Sequence, residues 1–213
     1  MRLRNIPGAE EKLQTYGSFV REPFKNYGKW QQFWGNKNPL HLELGTGKGQ
    51  FITTLAKENP EINFIGVERA EEVLLTAVKK ASQLELANMA FLWVDIKDIS
   101  QIFAADEVDR LYINFCDPWP KKRHRKRRLT HASFLQEYSK LLKPGGEVHF
   151  KTDGEELFEF SLNEFSENGW QLKNICLDLA ARGAEGNVTT EYEDKFRQRG
   201  MKIYRCEAVN LYK

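Results

Sequence analysis

Residues 40–49 read Leu-His-Leu-Glu-Leu-Gly-Thr-Gly-Lys-Gly, a short apolar run ending in Gly45, Gly47 and Gly49, and a helix is expected to follow from residue 50. Glycines at a strand-to-helix turn let backbone and ligand approach closely, the device shared by nucleotide-binding α/β folds. The stretch therefore predicts the first strand of such a sheet, with Gly45 and Gly47 beside a bound cofactor. The spacing is GxGxG rather than GxGxxG. Glu43 also sits beside the turn where a dinucleotide fold would place a pyrophosphate. A carboxylate there repels a diphosphate but suits S-adenosylmethionine, which carries an ammonium and a sulfonium and no phosphate.

Along the chain, short runs rich in β-branched and aromatic residues alternate with helical-period segments, the pattern of a parallel sheet. Strands are expected over 40–44, 62–67, 90–94, 109–115 and 146–151. Between them Val73, Leu74, Ala77, Val78, Ala81 and Leu84 share one helix face, and so do Phe134, Leu135, Tyr138, Leu141 and Leu142. Thr130 reads as the N-cap of that second helix, with Leu129 and Phe134 as a hydrophobic staple. After a helix over 155–167, strands are expected over 170–179 and 202–212, joined by a polar segment without a strong helix. That arrangement predicts an antiparallel edge on the sheet. No repeat or linker divides the chain, which reads as a basic, aromatic arm over 1–36 and one domain over 37–213.

Acids recur where strands end. Glu68 closes the second strand 19 residues after Gly49, near the spacing at which an acid takes ribose hydroxyls, and Asp95 follows the third, placed to accept from an adenine amine. The fourth strand runs into Asn114-Phe115-Cys116-Asp117-Pro118-Trp119-Pro120, a loop stiffened by two prolines. Asp117 is placed to hold the cofactor's amino group, to orient an incoming base, or both. Lys151-Thr152-Asp153 and Thr190-Glu191-Tyr192-Glu193 fall near the same edge.

Charge is concentrated. The net charge is +2, yet residues 121–128, KKRHRKRR, carry seven positive charges, which leaves −5 on the rest. The first 37 residues add +4, interleaved with Phe19, Phe24, Tyr27, Trp30, Phe33 and Trp34. Two such patches on an acidic body predict a polyanionic partner bound at a defined place. With 213 residues and 41% hydrophobic content, disorder is excluded. No run approaches a membrane span, and the basic start lacks the apolar block of a signal peptide. Three widely spaced cysteines fit neither a disulfide framework nor a metal site, and the four histidines lack ligand spacing. A soluble cytoplasmic protein without metal is expected, as a monomer or homodimer.

LELGTGKG, GVER, NFCDPWPKKRH, KTDGEELFE and TEYEDKF followed by IYR, in this order, resemble the bacterial tRNA (guanine-N7)-methyltransferase family over nearly the whole chain. Cys116 stands where the family has Ser, and Gly154 where Asn is usual. The resemblance implies a class I S-adenosylmethionine-dependent methyltransferase (Rossmann-like) fold with a mostly parallel seven-stranded sheet and an antiparallel C-terminal edge. It implies methylation of a guanine at position 46 in the tRNA variable loop. Glu43, Gly45, Gly47, Glu68, Asp95 and Asp117 would bind S-adenosylmethionine, with Asp117 also catalytic. Lys121, Asp153, Thr190, Glu191, Tyr192 and Glu193 would contact the substrate, and Arg123, His124, Arg125, Lys126, Arg127 and Arg128 the RNA. Two other readings of the same residues are an amino-group methyltransferase, from the likeness of Asp117-Pro118-Trp119 to acid-Pro-Pro-aromatic loops, and a noncatalytic RNA-binding protein.

Overall fold

The computed structural model describes residues 6–183 and 186–211. They form two compact units, Met1–Ala104 and Ala105–Lys213. In the first, β1 (Leu40–Leu44), β2 (Asn63–Glu68) and β3 (Met89–Trp93) pair in parallel. Their apolar runs are almost wholly buried, as expected of strands covered on both faces. Before them come α1 (Ala9–Leu13) and α2 (Trp30–Trp34), and the crossovers are α3 (Gln50–Glu58) and α4 (Glu71–Gln83). α4 buries Leu74, Leu75, Ala77, Val78 and Ala81, whereas Leu84, expected on that face, caps the helix end and is exposed.

Residues 6–36 are packed into this unit. Trp30 stacks on Phe103 at 5.2 Å between ring centroids and donates its indole N–H to the Ile102 carbonyl at 3.1 Å. Ser18 and Val20 bond the backbone of Phe91, so the segment covers part of the edge strand β3. Trp30 is therefore a packing residue.

In the second unit β4 (Val108–Asn114) pairs in parallel with β5 (Leu142–Thr152), and β7 (Tyr204–Asn210) lies antiparallel between β5 and β6 (Trp170–Cys176). The sheet order is β3-β2-β1-β4-β5-β7-β6, the seven-stranded, mostly parallel sheet with an antiparallel C-terminal edge that the sequence predicts. β6 stops at Cys176, short of residue 179, because its register slips between Lys173 and Cys176 with Asn174 at φ 50°. Such a bulge ends pairing at a sheet edge.

Two expectations on the helices are corrected by the structure. α5 (Ala132–Leu141) is capped by His131, whose Nδ1 accepts from the Ser133 amide at 3.1 Å. Thr130 is not the cap, because its hydroxyl is buried against Ser161 of α6 (Glu155–Glu167) at 2.7 Å. Within the connection from β4 to α5, Lys122–Arg127 of the basic run winds into a 3₁₀ turn. The late polar segment holds α7 (Glu191–Arg197), whose N-cap Thr190 accepts from the Glu193 amide at 2.9 Å. Among the described residues no helix is long and apolar enough to cross a membrane.

Candidate active site

The first unit supplies the glycine turn. Gly45 and Gly47 have φ of 80° and 57°, backbone that L side chains rarely adopt, and a Cβ built on either meets nothing within 4 Å. Gly49 differs: its Cβ would lie 2.7 Å from that of Ala77, so this glycine lets the start of α3 approach α4. The turn thus divides into two glycines facing open space and one that serves packing. Beneath them Glu43 is buried and accepts from the Thr46 hydroxyl at 2.7 Å.

Glu68 is drawn into the same turn. One carboxylate oxygen accepts from the Gly47 amide at 3.1 Å, the other from the Arg69 and Ala70 amides at 2.9 and 3.0 Å. A carboxylate has about four acceptor positions, so a capping role and a ribose-binding role do not exclude each other. Asp95 lies two residues beyond the end of β3, exposed, and accepts from the Lys97 amide at 3.0 Å. Every donor residue read from the sequence sits at or just past the carboxyl end of a strand, where open α/β sheets bind ligands.

The second unit supplies a strained loop. Phe115 and Trp119 have φ of 50° and 42°, and an aromatic residue held there costs about 1–3 kcal/mol. The loop is anchored from both ends. Phe115 donates its amide to the Lys151 carbonyl at 2.9 Å and its ring packs near Phe196. Arg128 Nε donates to the Pro118 carbonyl at 2.9 Å, and its Nη2 to the Trp119 carbonyl at 3.3 Å. Asp117 and Lys121 are exposed on this loop. Burial and then the Asp117 carboxylate push the Cys116 thiol up to about 12, so it stays protonated and unreactive at neutral pH.

The basic run is not uniform. Arg123, Arg125, Lys126 and Arg127 are exposed and His124 half-buried, with Arg127 stacked over the Trp119 ring at 4.8 Å. Arg128 is only 3% exposed and directed inward, which sets it apart from the RNA-facing group in which the sequence places it.

Behind Asp153, which is half-buried just past β5, lies a feature no spacing rule finds. Lys151 Nζ donates to Glu193 Oε2 at 2.8 Å, to the Val188 carbonyl at 2.9 Å and to Asn187 Oδ1 at 3.2 Å. Glu193 Oε1 accepts from Asn187 at 2.6 Å, with Arg197 at 3.5 Å. The side chains of Lys151 and Glu193 are 5% and 0% exposed, so Glu193 is interior and Thr190 is buried as the cap beside it. Glu191 and Tyr192 remain toward the surface. Among the described residues no group of three His, Cys, Asp or Glu is placed to hold a metal.

A family model described as "Putative methyltransferase" matches residues 37–206. The tRNA (guanine-N(7)-)-methyltransferase of Clostridioides difficile (strain 630) is 58% identical over 210 residues, covering 98% of both chains. That of Brevibacillus brevis (strain 47 / JCM 6285 / NBRC 100599) is 51% identical over 214 residues, covering both completely. Among solved structures, the 16S rRNA methyltransferase KamB superposes with a TM-score of 0.64 at 14% identity, covering 86% of this chain and 93% of its own. An S-adenosylmethionine-dependent methyltransferase from Aquifex aeolicus gives 0.58 at 15%, covering 95% and 98%. The structural neighbours share the fold alone, whereas identity above one half along both full chains fixes closer kinship: the chain belongs to the tRNA (guanine-N(7)-)-methyltransferase family.

Proposed function

We propose that this chain transfers the methyl group of S-adenosylmethionine to N7 of a guanine in tRNA, and that the guanine is position 46 of the variable loop. The observation that carries the tRNA guanine-N7 reading is the similarity, at 58% and 51% identity over nearly the full length, to relatives so named, and position 46 follows from the motif resemblance. Residues 37–213 carry the reaction, the arm adds basic surface, and the setting is the cytoplasm.

The donor site fits its cofactor in charge and in space. Gly45 and Gly47 face open volume, and the buried Glu43 complements a cation. Glu68 and Asp95 offer acceptors to ribose and adenine. When bound, S-adenosylmethionine supplies a methyl group activated by its sulfonium charge. Replacing Glu43 or Glu68 by Ala is expected to weaken its binding by roughly 1–3 kcal/mol, the loss of one charged hydrogen-bond partner. Unchanged affinity in both variants by calorimetry, with the fold intact, removes this assignment.

Guanine N7 carries a lone pair, so no residue must abstract a proton before attack. The protein's task is to hold the base in line, an effect worth up to about 7–11 kcal/mol in favourable cases. Because N7 is enclosed in folded tRNA, the base leaves its stack, and Trp119 offers the ring face opposite Arg127. Positive charge then develops on the purine. Asp153 accepts from the guanine Watson–Crick edge and stabilises that charge, with Asp117 on the donor side. Glu193 does not touch the base in this scheme; through Lys151 it fixes the segment that carries Glu191 and Tyr192.

Arg123, Arg125 and Arg127 bind phosphates. Changing all three to Gln is expected to weaken tRNA binding and flatten its salt dependence by ~0.7 to 0.9 log units per log unit of salt for each phosphate no longer neutralised, with cofactor affinity unaltered. An unchanged slope would make the run a solvated face. The substrate assignment is tested with unmodified tRNA transcripts and methyl-labelled cofactor. Label enters the native transcript and not one with adenine at position 46. Equal labelling of both refutes the position.

A further inference from the structure

We infer that Arg128 is a positioning residue for methyl transfer, clamping the strained Asp117–Pro120 loop from within the second unit rather than binding RNA. The inference rests on the transfer reaction proposed above. Four observations converge on this guanidinium. Its side chain is 3% exposed, at the end of a run whose other arginines are exposed. Nε and Nη2 reach two successive carbonyls, those of Pro118 at 2.9 Å and Trp119 at 3.3 Å, a planar fork meeting two acceptors that an ammonium cannot reproduce. The group lies over the Phe160 ring, 4.5 Å from its centroid, so α6 supports it from below. The backbone it holds is the one at Trp119 with φ 42°.

These facts have a common reason. A tryptophan relaxes out of the left-handed region unless its surroundings hold it there. Pro118 and Pro120 have no amide hydrogen with which to tie the loop down, so its carbonyls carry more of the anchoring. Arg128 takes two of them. The Glu156 carboxylate, 3.4 Å from Nη2, is 76% exposed and contributes little to holding the cation in place. Burial of the charge is instead offset by the two carbonyls and the aromatic face. The consequence reaches both functional ends of the loop, since Asp117 directly precedes the clamped pair and Lys121 closely follows it.

The test compares wild type with Arg128→Lys, which keeps the charge and loses the fork. At saturating tRNA, kcat is expected to fall at least tenfold while KM for tRNA, its Kd and the salt slope stay at wild-type values. Exchange of the Phe115 amide hydrogen, bonded to the Lys151 carbonyl across the base of the loop, is expected to quicken at least tenfold by NMR. A weaker Kd with a flattened salt slope and unchanged exchange would make Arg128 a phosphate ligand and overturn the inference. Unchanged kcat and exchange would overturn it equally. If Arg128→Lys does not fold, Phe160→Leu removes the ring beneath the guanidinium and leaves its donors; because Arg125 also lies over that ring, at 5.2 Å, the readout is kcat at saturating tRNA, where a smaller fall is expected and no fall refutes the clamp. Should the wild-type protein methylate no tRNA, the proposed reaction fails, and amide exchange alone decides the role of Arg128.

Discussion

A tRNA carrying 7-deazaguanosine at position 46 is expected to bind this protein with the affinity of the normal substrate and to accept no methyl group. The analogue keeps the Watson–Crick edge and every phosphate but has a C–H where N7 stood, so positioning survives and the nucleophile does not. Phosphate contacts fix register on a nucleic acid, and in the proposed binding mode they come from the basic 3₁₀ turn Lys122–Arg127, which the substitution at N7 leaves untouched. The expectation follows from the proposed chemistry, in which no side chain prepares the nucleophile and none can replace a missing lone pair. Transfer to the analogue at the normal rate would mean that an amine or a ribose oxygen is methylated, as the amino-group alternative requires. Loss of binding would show instead that N7 itself is a recognition contact.

Glu193→Ala is expected to have the largest effect on stability. The substitution removes the carboxylate from a Lys151 ammonium that is only 5% exposed, while Asn187 and the Val188 carbonyl still accept from it. Breaking a buried pair from one side costs about 3–5 kcal/mol, which in a chain of this size lowers Tm by roughly 6–20 °C. Glu193→Gln retains a carbonyl acceptor and should cost less. Denaturant unfolding measures both, and a loss below about 1 kcal/mol for the Ala variant would show that water reaches the site and that the pair does not anchor α7.

The first three strands were legible because short, mostly apolar runs that are buried almost throughout have few alternatives once a glycine turn and helical periods separate them. β1 and the glycine turn are the clearest case, where residues 40–44 lie in the strand expected of them. Helix starts were less legible because caps compete. Thr130 has the right side chain, yet a partner 31 residues away in Ser161 takes its hydroxyl, and His131 caps instead. In Thr190-Glu191-Tyr192-Glu193 the sequence does hold a Thr-x-x-Glu capping pattern, the signal for α7. Its Glu side chain departs from the pattern by pairing with Lys151 across 42 positions. That pairing and the inward turn of Arg128 are tertiary facts; nothing in KKRHRKRR marks the last arginine as different from those before it. Glu68 shows a further limit, since one carboxylate meets the local demand of helix amides and the turn at once.

The identity of the methylated atom decides between the proposed chemistry and its alternatives, and nucleoside mass spectrometry reads it out. Unmodified tRNA incubated with the protein and S-adenosylmethionine, then digested to nucleosides, is predicted to yield 7-methylguanosine, at one per tRNA and absent from reactions lacking either component. A methylated adenosine or cytidine in its place, or no methylated nucleoside with cofactor demonstrably bound, would contradict it.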